Sequence, residues 1–374
     1  MSWLRLLEAR FAVPKAIQAA RGALGLAATL KCWRSGRGSC RVALPGAICY
    51  EVVVAVLAAG CEPIFCDVNP ADGLVRHSEW RRARSLGADV ALVVHLYGNP
   101  AAVKPVRAIF PAAQCLLIDD AAQALGSQSE DGLAGALGDV GLLSFGATKH
   151  IPLGNAALLF NDTEFAGEVA AVLDTYTTEA ESTRSSLSGA FRSRLALARA
   201  RLRAEGDGAA AGFAGLLEGM LPTLCVPETS GIDGSLLSAL EDYPPAAAAR
   251  VMKAELWSDS LLGTGLEPVG MRQGCVPWRY ACRLPGASWP SQQALAEVLR
   301  GHGIHVSNWY LPAHWFLGGQ AGVLPGVELL AREVFQFWVD EEASCESIVR
   351  SADAVRSEVA RIGSARAGAW PCAR

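Results

Sequence analysis

Val140-Gly-Leu-Leu-Ser-Phe145-Gly-Ala-Thr-Lys149, followed six residues after the lysine by Asn155 and the apolar run Ala156-Ala-Leu-Leu-Phe160, is the stretch that decides the fold. Two short apolar runs of strand length bracket a loop, and an amine sits in that loop. Lysine is scarce here: Lys15, Lys31, Lys104, Lys149 and Lys253 are the only five, because arginine supplies nearly all the positive charge. A lysine placed between two buried strands is therefore read as chemistry, and a loop amine can hold a carbonyl cofactor covalently. Upstream, another apolar run, Cys115–Ile118, ends in Asp119-Asp120. An acid followed by an amine, each at a strand end, is the order that pyridoxal phosphate requires, since a carboxylate beside the ring nitrogen keeps that nitrogen protonated.

Working outward, the same rhythm continues on both sides. Strands are predicted at Val42–Leu44, Pro63–Cys66, Val90–Val94, Cys115–Ile118, Val140–Phe145 and Ala156–Phe160, with helices between them at Tyr50–Ala59, His77–Leu86 and Ala102–Phe110. This alternation predicts an α/β fold with a mostly parallel sheet covered on both faces, whose ligands bind beyond the strand C-termini. Ahead of the sheet, Leu4–Ala12 and Ala16–Trp33 read as helices separated by Pro14. From about Glu164 to Leu221 the chain turns Ala/Arg-rich and helical; its basic face reads as the solvated side of a packed helix in preference to a membrane-surface helix. After Pro222 the prediction is a helix near Pro245–Leu262, a strand over Trp278–Leu284, and helices near Gln292–His302 and Cys345–Ile362. Residues 1–221 are thus expected to form a large cofactor-binding α/β domain, including the helical segment 164–221, and residues 222–374 a smaller α+β domain.

Composition narrows the function. At 374 residues, with 51% hydrophobic and 19% charged, the chain can bury an extensive core, so two packed units are expected. A net charge of −4 offers no basic field for nucleic acid or anionic lipid, which leaves small metabolites as ligands. The 11 cysteines are dispersed with no metal-ligand spacing, so no metal is expected and reduced thiols in a cytoplasmic protein are. No run approaches the length of a membrane span, and neither export nor membrane insertion is expected.

Ser144, at the end of its strand, can donate to a cofactor phosphate or simply form a turn. Asp120 is read as the partner of the ring nitrogen, against the plainer reading that it caps a helix beginning at Ala121. Asp119 points the other way along an extended chain and is read as structural.

Taken in order, these residues resemble the DegT/DnrJ/StrS family of pyridoxal-phosphate-dependent sugar aminotransferases. The resemblance is carried by Val42-Ala-Leu-Pro-Gly-Ala-Ile-Cys-Tyr-Glu51 running through Val56–Gly60 to Pro63–Val68, by His95-Leu-Tyr-Gly98, and by Ile118-Asp-Asp-Ala-Ala-Gln-Ala124. Ser144-Phe-Gly-Ala-Thr-Lys149, Gly303-Ile304 through Tyr310-Leu-Pro-Ala-His314, and Leu324-Pro-Gly-Val-Glu-Leu-Leu-Ala331 extend it. It implies an aspartate aminotransferase-like fold of pyridoxal-phosphate transferases, with a large mostly parallel sheet domain and a smaller C-terminal α+β domain. It further implies that Lys149 bonds pyridoxal 5'-phosphate, Asp120 pairs with its ring nitrogen, Gln123 lies over the ring or its hydroxyl, Ser144 holds phosphate, and Tyr310 and His314 face the sugar. His95 and Tyr97 read as structural, and His150 is given no role. The family's early Ser-Gly-Thr phosphate loop reads Ala19-Ala20-Arg21-Gly22-Ala23-Leu24 here, where Arg21 either binds phosphate or is a surface arginine at a helix start. The aromatic that covers the ring in relatives falls at Cys49, with Tyr50 beside it. Gly231-Ile-Asp233 faintly echoes the segment that reaches across a dimer in relatives.

The expected activity is transfer of an amino group from an amino acid, glutamate first, to a keto sugar that is nucleotide-linked, in surface polysaccharide or amino-sugar biosynthesis, by a homodimer. The alternatives are a catalytically reduced relative acting as a binding or regulatory subunit, and a nicotinamide-dependent oxidoreductase. The last is disfavoured because the first strand leads into Leu44-Pro-Gly-Ala-Ile48 and not a GxGxxG loop.

Overall fold

The computed structural model describes residues 2–176, 181–225 and 233–367. In chain order, α1 (Trp3–Phe11), β1 (Lys15–Ala19), α2 (Gly22–Arg34), β2 (Arg41–Pro45), α3 (Tyr50–Ala58), β3 (Glu62–Cys66), α4 (His77–Ser85), β4 (Val90–Val94), α5 (Val103–Ile109) and β5 (Leu116–Asp120) come first. A small hairpin, β6 (Gln128–Ser129) with β7 (Gly132–Leu133), precedes β8 (Val140–Ser144), β9 (Ala156–Phe160), α6 (Thr163–Leu173) and α7 (Glu181–Glu205). The remainder comprises α8 (Asp233–Glu241), α9 (Tyr243–Ser260), β10 (Glu267–Pro268), β11 (Tyr280–Arg283), α10 (Trp289–Gly301), β12 (Val306–Ser307), α11 (Pro325–Glu333), β13 (Val334–Phe337) and α12 (Cys345–Ala367).

Seven strands form the main sheet in the order β1-β9-β8-β5-β4-β2-β3. The pairs β2–β3, β2–β4, β4–β5 and β5–β8 are parallel, while β9 runs antiparallel to both β8 and β1. Only β9 is therefore reversed, and the six other strands all end at one edge of the sheet. Alternate side chains separate cleanly onto two faces. Leu44, Leu142 and Leu158 join the core under α2, α3, α6 and α7. Ala43, Ala91 and Leu117 pack instead against α4 and α5, and Leu143 and Leu159 against α1 and α8. Burial on both faces is what makes the strands read as continuous apolar runs.

The sequence reading of Ala16–Trp33 as one helix is corrected. Lys15–Ala19 is a strand and the helix starts only at Gly22. Lys-Ala-Ile-Gln-Ala has no local preference for a strand, but β9 offers an unpaired edge with Lys15 opposite Phe160 and Ala19 opposite Ala156. Pairing and the burial of Ala16 and Ile17 override propensity. The Ala/Arg-rich segment is likewise not one helix: α6 and α7 are separate, and short 3-10 turns cover Gly206–Phe213 and Leu221–Thr223. Within α7, Phe191, Leu195, Ala198 and Leu202 recur at helical spacing and are buried, so this is an ordinary packed helix with an exposed arginine side.

A second core gathers Ala254, Trp257, Tyr280, Leu295, Leu299, Phe335, Phe337 and Val355 from α9, α10, α12 and the antiparallel sheet β10-β11-β13-β12. Helix α8 and the start of α9 pack on α1 through Leu236, Leu240 and Tyr243. Asp67, just after β3, caps the buried start of α11 by accepting from the Gly326 and Val327 amides (3.1 and 2.8 Å), which ties the two cores together. No described helix is long and apolar enough to cross a membrane.

Candidate active site

Because β1, β5 and β8 finish at the same sheet edge, the residues beyond their ends converge there. Asp120 ends β5, Ser144 ends β8, α2 begins three residues after β1, and the β8–β9 loop brings Lys149. That loop folds back through Phe145 N–H to Asn155 O (3.0 Å), Gly154 N–H to Phe145 O (2.6 Å) and Lys149 N–H to Gly146 O (2.8 Å). Gly154 and Asn155 both adopt positive φ to make the return, which a glycine and an asparagine allow at little strain. A cleft of about 500 Å³ results, within the range of small-molecule sites.

Asp120 is 5% exposed and accepts one hydrogen bond, from the Ala122 amide at 2.9 Å. Burial raises its pKa above the usual carboxylate value; the Ala122 N–H and then the Lys149 charge pull the other way without cancelling it. A carboxylate so held favours a cationic hydrogen-bond donor from the cleft. No helix starts at Ala121, so the capping reading of Asp120 is corrected: its side chain closes a local turn. Asp119 lies on the opposite side, accepting from the Gly135 and Leu137 amides (2.8 and 2.9 Å) and meeting His95 Nε2 at 2.5 Å. The Ala101 amide donates to His95 Nδ1 (2.8 Å), which leaves Nε2 as the protonated nitrogen that donates to Asp119.

Lys149 is half-buried, with Nζ 5.6 Å from the centroid of the Trp278 indole. Among the described residues it makes no ion pair. Trp278 is fixed in turn by its indole N–H, which donates to Thr148 O at 2.5 Å. Ser144 Oγ makes no hydrogen bond among the described residues and stands beside the start of α2: a Cβ on Gly22 would lie 3.7 Å from it. The first turn of α2 carries no acidic residue, so its N-terminal amides and a spare hydroxyl present an anion site.

Not every expected residue arrives as the sequence suggested. Arg21 lines the cleft as the residue before α2, but its guanidinium is tied to the Glu51 carboxylate and donates to Thr223 O at 2.6 Å, so it enters as a paired group. Cys49 lines the cleft at the start of α3, its thiol pushed up to about 12 by burial. The Tyr50 ring packs on Phe191 (4.6 Å between centroids) and near Trp309 (6.4 Å). The aromatic beside the lysine is consequently Trp278, from the far end of the chain. Gln123 is buried behind the cleft wall, accepting from the Tyr97 amide (2.9 Å) and donating to Tyr310 Oη (2.6 Å). Tyr310 itself lines the cleft. His314, expected on the sugar side, is buried outside it and bonds Glu328 at 3.1 Å. Burial, opposed by that carboxylate, lowers its pKa. Gly231 and Ile232 lie outside the described residues. Trp278, Arg279 and Trp309 were missed, because nothing local marks a tryptophan or arginine next to a strand as a cleft residue when its partners lie over a hundred positions away.

Larger concavities exist elsewhere. One of about 600 Å³ between α3 and the Ala214–Leu221 segment is mainly apolar, with Glu218 as its one charged group. Another of about 790 Å³ holds Lys104, already paired with Asp131 at the surface. Neither joins a free amine to a buried carboxylate. The groups of the Lys149 cleft, an amine in the β8–β9 loop, a buried carboxylate at the end of β5 and a hydroxyl beside the start of α2, fit a flat phosphorylated heteroaromatic aldehyde.

Among curated proteins, the chain is 30% identical over 158 residues to the L-glutamine:2-deoxy-scyllo-inosose aminotransferase of Streptomyces paromomycinus, covering 42% of this chain and 37% of that one. It is 30% identical over 151 residues to the UDP-N-acetyl-3-dehydro-alpha-D-glucosamine 3-aminotransferase of Acidithiobacillus ferrooxidans, 39% of this chain and 41% of that one. The matched stretches thus span well under half of these relatives. Among solved structures, S. venezuelae DesV in complex with a ketimine intermediate superposes with a TM-score of 0.72 at 20% identity, over 95% of this chain and 89% of that one, which establishes a common fold. The model of the DegT/DnrJ/EryC1/StrS aminotransferase family matches residues 5–200, just over half of the chain and the part that supplies Asp120, Ser144 and Lys149, and the protein belongs to that family.

Proposed function

We propose that the protein is a pyridoxal-phosphate-dependent aminotransferase that moves an amino group from an amino acid to a keto group of a cyclic sugar, nucleotide-linked in our reading, in amino-sugar or surface polysaccharide assembly. The observation that carries this is the pairing, in one cleft, of an amine that makes no ion pair among the described residues and a buried carboxylate with a single hydrogen bond. The Streptomyces and Acidithiobacillus relatives are both named for amino transfer to a ring ketone, one on a cyclitol and one on a UDP-sugar. Glutamate is our first donor, and glutamine belongs in the assay because the cyclitol relative is named for it.

Bound pyridoxal phosphate supplies an aldehyde that captures amines and a ring that withdraws electrons from the carbon bearing the nitrogen. The chain supplies the rest. Lys149 Nζ would be the nucleophile toward the cofactor aldehyde and, as a free amine, the base that moves a proton between the two carbons flanking the transferred nitrogen. Asp120 holds a proton on the ring nitrogen by offering its second carboxylate oxygen in a dry wall. Ser144 Oγ and the first amides of α2 hold the phosphate. Trp278, locked by Thr148 O, walls Lys149 off from water on one side and limits its wandering. Gln123 fixes Tyr310 Oη toward the site from behind, a positioning role. Arg21, neutralised by Glu51, stiffens the residue before α2.

We also infer a cytoplasmic homodimer with one unit over residues 1–221 and another over 222–374. Cys32, Cys40, Cys49, Cys61, Cys66, Cys115, Cys275, Cys282 and Cys345 are free thiols, which supports a reducing compartment. The reading of a catalytically reduced subunit has less support, since Lys149, Asp120 and Ser144 line one cleft. The test is spectroscopic: purified protein with added cofactor should gain a visible band that borohydride fixes covalently, and Lys149→Ala should abolish the fixation. A protein that stays colourless with excess cofactor sinks the proposal.

A further inference from the structure

Arg279 lines the same cleft as Lys149 yet is not among the groups that hold the cofactor. It is 8% exposed, and its guanidinium carbon lies 4.2 Å from the Trp278 ring centroid and 3.4 Å from that of Trp338. Stacking between two indoles uses the flat faces of the group and leaves its rim of N–H donors unoccupied. Among the described residues Arg279 has neither an ion pair nor a hydrogen bond, whereas the other buried arginine of this region, Arg250, donates to Trp278 O at 3.1 Å. Its five donors have no acceptor among the described residues, and its nitrogens are not sealed from the cleft, so they are open to a ligand. Burial lowers the Arg279 pKa to about 10, with Tyr310 and Asp340 opposing and Arg250 adding, so the group stays charged at neutral pH.

Distance selects the ligand. Lys149 Nζ and the Arg279 guanidinium share one indole as neighbour, at 5.6 and 4.2 Å from its centroid, so they are no more than about 10 Å apart. Any amino acid that reacts at Lys149 carries a carboxylate one bond from the reacting carbon, and a planar fork of donors matches that group with two parallel hydrogen bonds. The phosphates of a nucleotide-linked acceptor lie several bonds further from its keto carbon, so the shorter reach favours the donor carboxylate, and the acceptor arm of the experiment below tests the other anion.

We propose that Arg279 binds the α-carboxylate of the amino donor, clamped between Trp278 and Trp338 so that its donor edge faces the amine of Lys149. This rests on the aminotransferase reading and adds to it the residue that distinguishes amino acids from simple amines. A desolvated carboxylate–guanidinium pair should be worth roughly 10- to 100-fold in donor affinity.

The experiment follows the first half-reaction by the change in cofactor absorbance, using L-glutamate, L-glutamine and L-alanine, with ethylamine as the carboxylate-free counterpart of alanine. Arg279→Met should raise the donor concentration for half-maximal rate by roughly 10- to 100-fold for all three amino acids. The limiting rate should change less, ethylamine should react as in the wild type, and Arg279→Lys should recover part of the loss. The borohydride-fixed band of both variants should match that of the wild type, which separates a lost ligand contact from a collapsed site. If Arg279→Met leaves the amino acids unchanged, or weakens ethylamine equally, the assignment is overturned. If the variant instead weakens only the keto-sugar acceptor, the anion bound is on the acceptor and the donor assignment fails. A wild type that reacts with no donor would remove the aminotransferase reading itself, a result distinguishable from all of these.

Discussion

Asp120→Asn removes one charge and little shape, and its consequences for the empty and the loaded protein run in opposite directions. In the empty protein the carboxylate is 5% exposed with one amide donor, and burial raises its pKa. A raised carboxylate pKa means that the folded state prefers the protonated form. The contribution of this group to stability is therefore fully present below the unfolded value, near 3.8, and is lost as pH rises through the raised folded value. The neutral amide keeps the acceptor for Ala122 N–H and escapes that penalty. Without cofactor, the variant should melt no lower than the wild type at neutral pH, and the difference should close as pH approaches about 4. With cofactor the order reverses. A charge-assisted hydrogen bond to a protonated ring nitrogen in such a wall is worth about 1.5–3 kcal/mol, or roughly 10- to 150-fold in affinity. At about 2.1 cal/mol/K per residue, a chain of 374 residues unfolds with an entropy near 0.8 kcal/mol/K. Losing about 1.5–3 kcal/mol of ligand stabilisation should then lower the cofactor-dependent rise in Tm by about 2–4 °C at saturating wild-type conditions. Amino transfer should fall by at least about 100-fold, the scale on which removal of a preorganised electrostatic contact is felt. Differential scanning calorimetry with and without cofactor, between about pH 4 and 8, and single-turnover absorbance read both arms. A variant that keeps wild-type cofactor affinity and transfers within about threefold would show that this carboxylate does not face the ring, and the reasoning from burial would be wrong.

His314→Asn should cost about 1–3 kcal/mol in urea unfolding, because it disturbs the buried Glu328 carboxylate, while leaving the acceptor KM unchanged; a changed KM with intact stability would return His314 to the sugar side. Gly141→Ala should destabilise by more than about 2 kcal/mol and lower soluble yield, since the added methyl would fall inside the van der Waals radius of the Gly135 carbonyl oxygen on a backbone that cannot yield; a urea midpoint within error of the wild type would show that the Gly135 turn is free to move.

Much of the large sheet was legible because its strands are buried on both faces. Val90–Val94 and Ala156–Phe160 were readable to the residue, since a doubly covered strand leaves an unbroken apolar run with polar neighbours at each end. Asp120 was legible for a related reason, since a charged side chain at the boundary of such a run sits at a strand end, where parallel sheets gather their ligands, and Lys149 was legible as a rare lysine in the loop that follows another such run. Lys15–Ala19 was misread because its strand character comes entirely from an edge that β9 provides, and Lys-Ala-Ile-Gln-Ala carries no period that announces it. His314 and Gln123 were placed by analogy of motif, which gives an order along the chain but not the direction of a side chain.

The sequence by itself determined the strand–helix rhythm, the acid-then-amine order, and the strand end and following loop on which the two groups sit, because these follow from local burial patterns written along the chain. Only the tertiary structure decided which groups share the cleft. Arg21 is spent on Glu51, His314 on Glu328, and the indole beside Lys149 comes from Trp278, with Arg279 lining the same cleft. The indole beside Lys149 depends on a contact across more than a hundred positions, and even the nearer pairs, Arg21 with Glu51 and His314 with Glu328, are set by how separate elements pack, which no local pattern encodes.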